Sequence, residues 1–296
     1  MVLHQPVLLK ETLGLLNVEK GKKYIDATLG LGGHTVEILN QGGKVLGIDL
    51  NQESINKTFE RVKKELPEDL GMNLISACGN FKNIDSIAWE NKYTQVSGIL
   101  FDLGYSSYEL EEGRMGLSFL TNEPLDMRMD KTLGVTAADL VNSLPEGQLT
   151  SLIREYSDEK FASKFAKAIV RSRSLKRIQT TAELAEILKS EAPLNYEHGR
   201  ISPSTRTFQA LRIAVNDELE NLRIALPRAA RLLLPGGVLI VISFHSLEDK
   251  VAKELGRSAQ PMLESLFAKP LTPNEEEISE NIRSRSAKLR AFRKNA

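Results

Sequence analysis

Asp26-Ala27-Thr28-Leu29-Gly30-Leu31-Gly32-Gly33-His34 joins a predicted strand, Lys23 to Asp26, to a helical pattern that starts near Thr35. Gly30, Gly32 and Gly33 let the backbone turn sharply and approach a ligand closely, and the helix that follows offers its first N–H groups. A second predicted strand, Lys44-Val45-Leu46-Gly47-Ile48-Asp49, ends in a carboxylate 19 residues after Gly30. That spacing suits an acid that hydrogen-bonds a ribose diol in a nucleotide-binding α/β fold. The pattern predicts a nucleoside-containing ligand bound near the N-terminus.

Around this turn, residues 1–105 alternate strands (23–27, 44–49, 72–77, 97–103) with helices, as in a parallel sheet covered on both faces. Ser97 to Asp102 is apolar without alternation, which fits a strand buried on both sides. From about 110 to 205 the strand signal gives way to helices over Thr136–Ser143, Gln148–Tyr156, Asp158–Ser174 and Thr181–Ser190. Thr180 and Glu183 form a capping box before the last of these. A long helix through Phe208, Leu211, Val215, Leu219 and Leu222 follows, with Pro227 kinking its end, and then a strand over Gly236–Ser243. The expected organisation is a core first part at 1–109, an inserted helical domain at 110–205, and a core second part at 206–296 with a basic tail.

The 296 residues are 41% hydrophobic and 26% charged, as in a globular protein of one large or two ordinary domains. One cysteine, Cys78, rules out an intrachain disulfide and a cysteine-cluster metal site, and no metal is expected. The first sixteen residues do not read as a signal peptide, and no apolar run approaches membrane-spanning length. A cytoplasmic protein is expected. Net charge is zero, yet residues 154–178 carry eight Lys/Arg against three acids, and the last sixteen residues carry six Lys/Arg and no acid. Such segments are either solvated surface or contacts for a polyanion. Lys160, Lys164, Lys167 and Arg171 form one stripe of this kind.

Two cofactor classes fit the glycine turn. A dinucleotide fold places its third glycine where this chain has Thr35, whereas the looser acid-x-x-x-Gly-x-Gly of S-adenosylmethionine sites matches Asp26 to Gly32. Phe81, after the third strand, offers a face for adenine, or simply packs in the core. Asp26, Asp49, Phe81 and Asp102 stand at successive strand ends and converge on one crevice in a doubly wound sheet.

Several longer strings sharpen this. They are His4 to Glu11 (HQPVLLKE), Asp26 to His34, Asp102 to Ser107 (DLGYSS), Pro124 to Asp130 (PLDMRMD), Ser204 to Leu219 (STRTFQALRIAVNDEL), Ile242 to Asp249 (ISFHSLED) and Arg283 to Arg290 (RSRSAKLR). With these the chain resembles, over nearly its full length, the bacterial MraW/RsmH family of 16S ribosomal RNA cytosine-N4 methyltransferases. The resemblance implies a Rossmann-like S-adenosylmethionine-dependent methyltransferase sheet with an inserted all-helical domain. It implies transfer of a methyl group to the N4 amine of a cytosine in the decoding region of 16S rRNA in the small ribosomal subunit. It also implies cofactor contacts at Gly32, Gly33, His34, Asp49, Phe81, Asp102 and Glu109. The family usually has Gln at Glu109, a second acid at Asn51, Gly at Ser157, His at Ser202 and Pro at Ile282. The oligomeric state is left open, with a homodimer compatible.

For the chemistry, the cytosine amine is a poor nucleophile because its lone pair is delocalised into the ring. It needs orientation and an acceptor for its N–H. Asp102 is the first candidate acceptor and Asp126 the second. Arg128, Arg206, Gln209, His245, Arg283 and Arg285 are candidate RNA contacts. His245 reads equally as a structural cap, and Arg206, Gln209, Ile213 and Asn216 share a helix face that lines a cleft or binds neighbouring loops. Competing readings are a non-catalytic RNA-binding assembly factor with a retained cofactor fold, a nucleotide-dependent oxidoreductase, and a methyltransferase of another substrate.

Overall fold

The computed structural model describes residues 6–104, 115–199 and 201–296. They fall into two compact units, one built from residues 1–106 and 219–296 and the other from residues 107–218.

The first unit is an α/β sheet of seven strands: β1 (Lys23–Asp26), β2 (Lys44–Asp49), β3 (Leu74–Cys78), β4 (Val96–Asp102), β5 (Leu233–Ser243), β6 (Leu263–Ser265) and β7 (Lys288–Lys294), in the order β3-β2-β1-β4-β5-β7-β6. β1 pairs with β2 and β4, β2 with β3, and β4 with β5, all parallel. β7 runs antiparallel between β5 and β6. The order changes direction between β1 and β4, which makes that point the topological switch where doubly wound sheets bind ligands. The apolar run of β4 behaves as its pattern requires, with Ile99, Leu100 and Phe101 fully buried, as are Leu239 to Ile242 of β5.

β7 overturns the reading of residues 281–296 as a basic tail. Leu289, Ala291 and Phe292 are buried, Val241 pairs with Arg290, and Arg290 donates through Nε and Nη2 to Asp249 at 2.6 and 3.1 Å. Lys294 Nζ donates to the carbonyls of Arg231 and Leu233. From Lys288 to Ala291 the basic residues alternate with core residues on a pleated strand.

The second unit contains the helices Ala137–Ser143, Glu146–Ser157, Ala162–Leu175, Thr181–Glu191 and Ser204–Asn216. Capping boxes at Thr136/Asp139 and Thr180/Glu183 open two of them. Phe165, Ala168 and Ile169 are buried along one helix face, while Lys160, Lys164 and Lys167 are exposed. Two expectations are corrected here. The helix Ser204–Asn216, assigned above to the second core segment, packs on Glu146–Ser157, so this unit extends to Glu218 rather than 205. The long helix also does not run through: Asp217 takes a left-handed backbone (φ 52°) and a new helix spans Glu218–Leu232 with Pro227 inside it. Aspartate is among the few side chains that tolerate this conformation. No described helix is long and apolar enough to cross a membrane.

Candidate active site at the carboxyl edge of the sheet

The glycine turn is held from three sides. Asp49 accepts from Gly30 N at 2.7 Å and from Asn51 N at 2.8 Å, one bond to each carboxylate oxygen. Each oxygen keeps lone-pair capacity for a ribose diol. Burial raises the pKa of Asp49 against these hydrogen bonds. From the helix Gln52–Glu65, Thr58 donates to the Gly30 carbonyl and Arg61 to that of Leu31. Gly32 sits at φ 71°, and a Cβ there would lie 2.5 Å from the buried Thr58 methyl; one on Gly33 would lie 2.7 Å from Pro6. Gly32 therefore begins the helix Gly33–Asn40 with no side-chain cap, leaving its first turn to a ligand.

Asp26 is structural. Its buried carboxylate accepts from Thr28 N at 3.2 Å and from Thr35 Oγ1 at 2.7 Å. Burial, only partly offset by those bonds, lifts its pKa to about 6. Thr28 also accepts from Asp102 N at 2.7 Å, tying β1 to the end of β4. The sequence marks Thr35 only as standing where a dinucleotide fold has its third glycine, and gives neither threonine this bonding role; the available signal was a hydroxyl in the first turn of the helix that follows a strand-end acid.

Asp102 ends β4. Oδ1 is buried and has no hydrogen-bond partner among the described residues, while Oδ2 lies 3.5 Å from His34 Nδ1. Burial, then the charges of Asp26 and Glu248, hold its pKa well above the usual carboxylate range. Phe81 follows β3 and meets Phe101 edge-on at 5.6 Å, so its packing and its use as an adenine platform are compatible. Glu109 and residues 105–107 of the DLGYSS string lie outside the described residues.

His245 is a cap. Its Nδ1 accepts from Glu248 N at 3.4 Å at the start of the helix Ser246–Ser258, and Glu248 accepts in return from Phe244 N and His245 N. Nε2 lies 3.1 Å from Glu248 Oε1 without hydrogen-bond alignment. Arg283 and Arg285 are exposed in the turn Ile282–Ser286.

In the helical unit, Asp126 is not a waiting acceptor. Arg128 grips it in a fork, Nε to Oδ1 at 2.6 Å and Nη2 to Oδ2 at 2.9 Å, and Arg128 Nη1 donates to the Leu133 carbonyl. This pairing lowers the Asp126 pKa and makes it a weaker base. Arg206 pairs with Glu197 at 2.6 Å, and Gln209 donates to the Tyr156 carbonyl. Asn216 donates to Met127 O and accepts from Met129 N, pinning the loop that carries Arg128. Ile213 is buried. Of the two readings of that face, the structure shows Arg206 bound to the turn at Glu197, Asn216 to the Met127–Met129 loop, and Gln209 to the last turn of the helix Glu146–Ser157.

A methyl donor of the S-adenosylmethionine type fits the sheet-edge crevice on these observations: a close-approach cradle at Gly32 and Gly33, carboxylate oxygens of Asp49 with capacity left for a diol, and a buried carboxylate oxygen of Asp102 with no partner among the described residues. Comparison with known proteins agrees. The MraW methylase family matches residues 1–295. The "Ribosomal RNA small subunit methyltransferase H" proteins of Sulfurihydrogenibium sp. and Persephonella marina are each 44% identical, covering 99% of this chain and 100% of their own length. The protein of that name from Carboxydothermus hydrogenoformans is 40% identical over 98% of this chain and 97% of its own. Similarity that runs almost from end to end, over a sheet edge shaped for that donor, means that the chain belongs to the MraW methylase family and uses S-adenosylmethionine as its cofactor.

Proposed function

We propose that this chain methylates the exocyclic N4 amine of a cytosine in the decoding region of 16S rRNA in the small ribosomal subunit. The observation that carries the amine chemistry is Asp102, whose buried Oδ1 has no hydrogen-bond partner among the described residues and lies at the switch point of the sheet. The names of the relatives support small-subunit rRNA as the substrate.

When bound, S-adenosylmethionine supplies a methyl group on a cationic sulfur and leaves as a neutral thioether. Gly32, Gly33 and the first turn of the helix Gly33–Asn40 give its chain close backbone contact. Asp49 takes the ribose hydroxyls and Phe81 faces the adenine. Asp102 accepts a hydrogen bond from the substrate amine, which orients the nitrogen lone pair away from the ring plane and toward the methyl group. Positioning and a preorganised acceptor are the main levers for a displacement of this kind. Arg283 and Arg285, with Lys160, Lys164 and Lys167, offer phosphate contacts that offset the few kcal/mol needed to unstack a base.

The test is methyl transfer from labelled cofactor to small ribosomal subunits and to naked 16S rRNA, followed by nucleoside analysis. N4-methylcytidine is expected. Label in another nucleoside would overturn the base assignment, and no transfer with intact cofactor binding would favour the assembly-factor reading.

A further inference from the structure

Asp102 does not meet the crevice alone. Its Oδ2 lies 3.5 Å from Nδ1 of His34, a buried imidazole whose Nε2 sits 3.1 Å from the carbonyl oxygen of Val7. A carbonyl only accepts, so Nε2 carries the proton of the neutral ring and Nδ1 turns its lone pair toward Asp102. A carboxylate facing that lone pair is repelled by it, whereas a carboxylic acid can donate to it. The neighbouring charges press in the same direction. Asp26 at the end of β1 and Glu248 in the helix Ser246–Ser258 are both acidic, and each disfavours an anion at Asp102. Contacts of this length are common in ligand-free sites and tighten when substrate arrives.

We propose that His34 is a positioning residue for proton removal: with Asp102 it forms a two-group base, Asp102 meeting the substrate amine and His34 standing behind it. The proposal rests on the amine-methylation reading above. As the new N–C bond forms from the nitrogen lone pair, one N–H bond breaks and its electron pair stays on nitrogen. The proton lands on Oδ1 of Asp102 as the proton on Oδ2 passes to Nδ1 of His34, so Asp102 stays neutral and the imidazolium holds the positive charge until solvent takes its proton. His34 thus raises the proton affinity of Asp102 and fixes which carboxyl oxygen faces the substrate. Two groups coupled this closely titrate as a pair.

Two measurements test this. In cofactor-free protein labelled with ¹⁵N-histidine, the His34 signals are assigned by their loss in His34→Asn. The neutral ring should carry its proton on Nε2, and the pH midpoint of the Nδ1 signal should move by more than one unit in Asp102→Asn. A neutral ring protonated on Nδ1, or an Nδ1 signal that responds to pH identically in wild type and Asp102→Asn, overturns the pair. The second measurement is single-turnover methyl transfer against pH at saturating cofactor and RNA. His34→Gln keeps a donor for the Val7 carbonyl but removes the Nδ1 lone pair, so the acid limb of the profile should move by at least one pH unit. A rate lowered by the same factor at every pH is structural damage alone and overturns the proposal. If wild type transfers no methyl group to an amine, the reading of the reaction fails, while the histidine titration still decides whether the pair shares a proton.

Discussion

Single residues around the glycine turn divide into those that meet the ligand and those that hold others in place, and the two kinds fail differently. Asp49→Asn leaves one side-chain oxygen for two backbone donors and turns an N–H₂ group toward the other. Cofactor affinity should fall at least tenfold by titration calorimetry, because a donor left unpaired costs about 1–3 kcal/mol. Gly32→Ala combines a left-handed backbone with a clash against a buried, β-branched threonine. It should cost roughly 2 kcal/mol of stability or more and be visible as a lower Tm. Asp26 makes the opposite kind of prediction. Its folded pKa of about 6 lies above the unfolded value near 3.8, so folding takes up a proton between those values. The stability this provides is complete below about pH 4 and lost as pH rises through 6, on the order of 3 kcal/mol in all. Asp26→Asn should remove that slope, so the difference in unfolding free energy between variant and wild type grows from pH 4 to pH 7 in the variant's favour. An unchanged difference across that range would show Asp26 to be ionised throughout in the folded protein. The turn, Asp49 and Asp102 were legible in the sequence because spacing and strand position specify them. The commitment of Asp126 was not, since a carboxylate two residues before an arginine reads the same whether the two meet each other or a substrate.

At the scale of elements, β7 shows how charge can hide a strand. Lys288 to Lys294 has buried residues at 289, 291 and 292 among its basic ones, with the alternation of a half-covered strand from 288 to 291, but a count of lysines and arginines reads it as a solvated tail. The basic segment thus splits in two. Leu289→Ala should cost about 2–4 kcal/mol in chemical denaturation, as deletion of a fully buried leucine does. Arg285→Ala, in an exposed turn, should change stability by less than about 0.5 kcal/mol. The helix break at Asp217 was hidden for a related reason. Apolar residues on either side, Val215 and Leu219, keep helical spacing, and a pattern of side chains does not record one residue of left-handed backbone. The helices of the insert were readable because caps and periodicity agreed there, as at Thr180 and Glu183.

For the molecule as a whole, net neutrality conceals cations gathered in a few places. Lys160, Lys164 and Lys167 are exposed, whereas Arg171, Lys176 and Arg177 of the same segment pair with Glu191, Glu183 and Asp139. RNA affinity should fall linearly on a log–log plot against salt, and replacing the three lysines with alanine should lessen the slope by roughly 2. An unchanged slope in a filter-binding series would show that this face does not meet phosphate. The interleaving of the two units also bears on how the protein is made. β4 emerges from the ribosome with one edge unpaired, and its partner β5 follows only after the whole helical unit has been synthesised; β5 in turn waits for β7. Throughout that interval the apolar run Ile99-Leu100-Phe101 of β4 stands exposed as a template for any other extended chain. The nascent protein therefore depends on chaperone cover or on rapid collapse of the insert. Slowing translation within residues 107–218 should yield aggregate in place of enzyme.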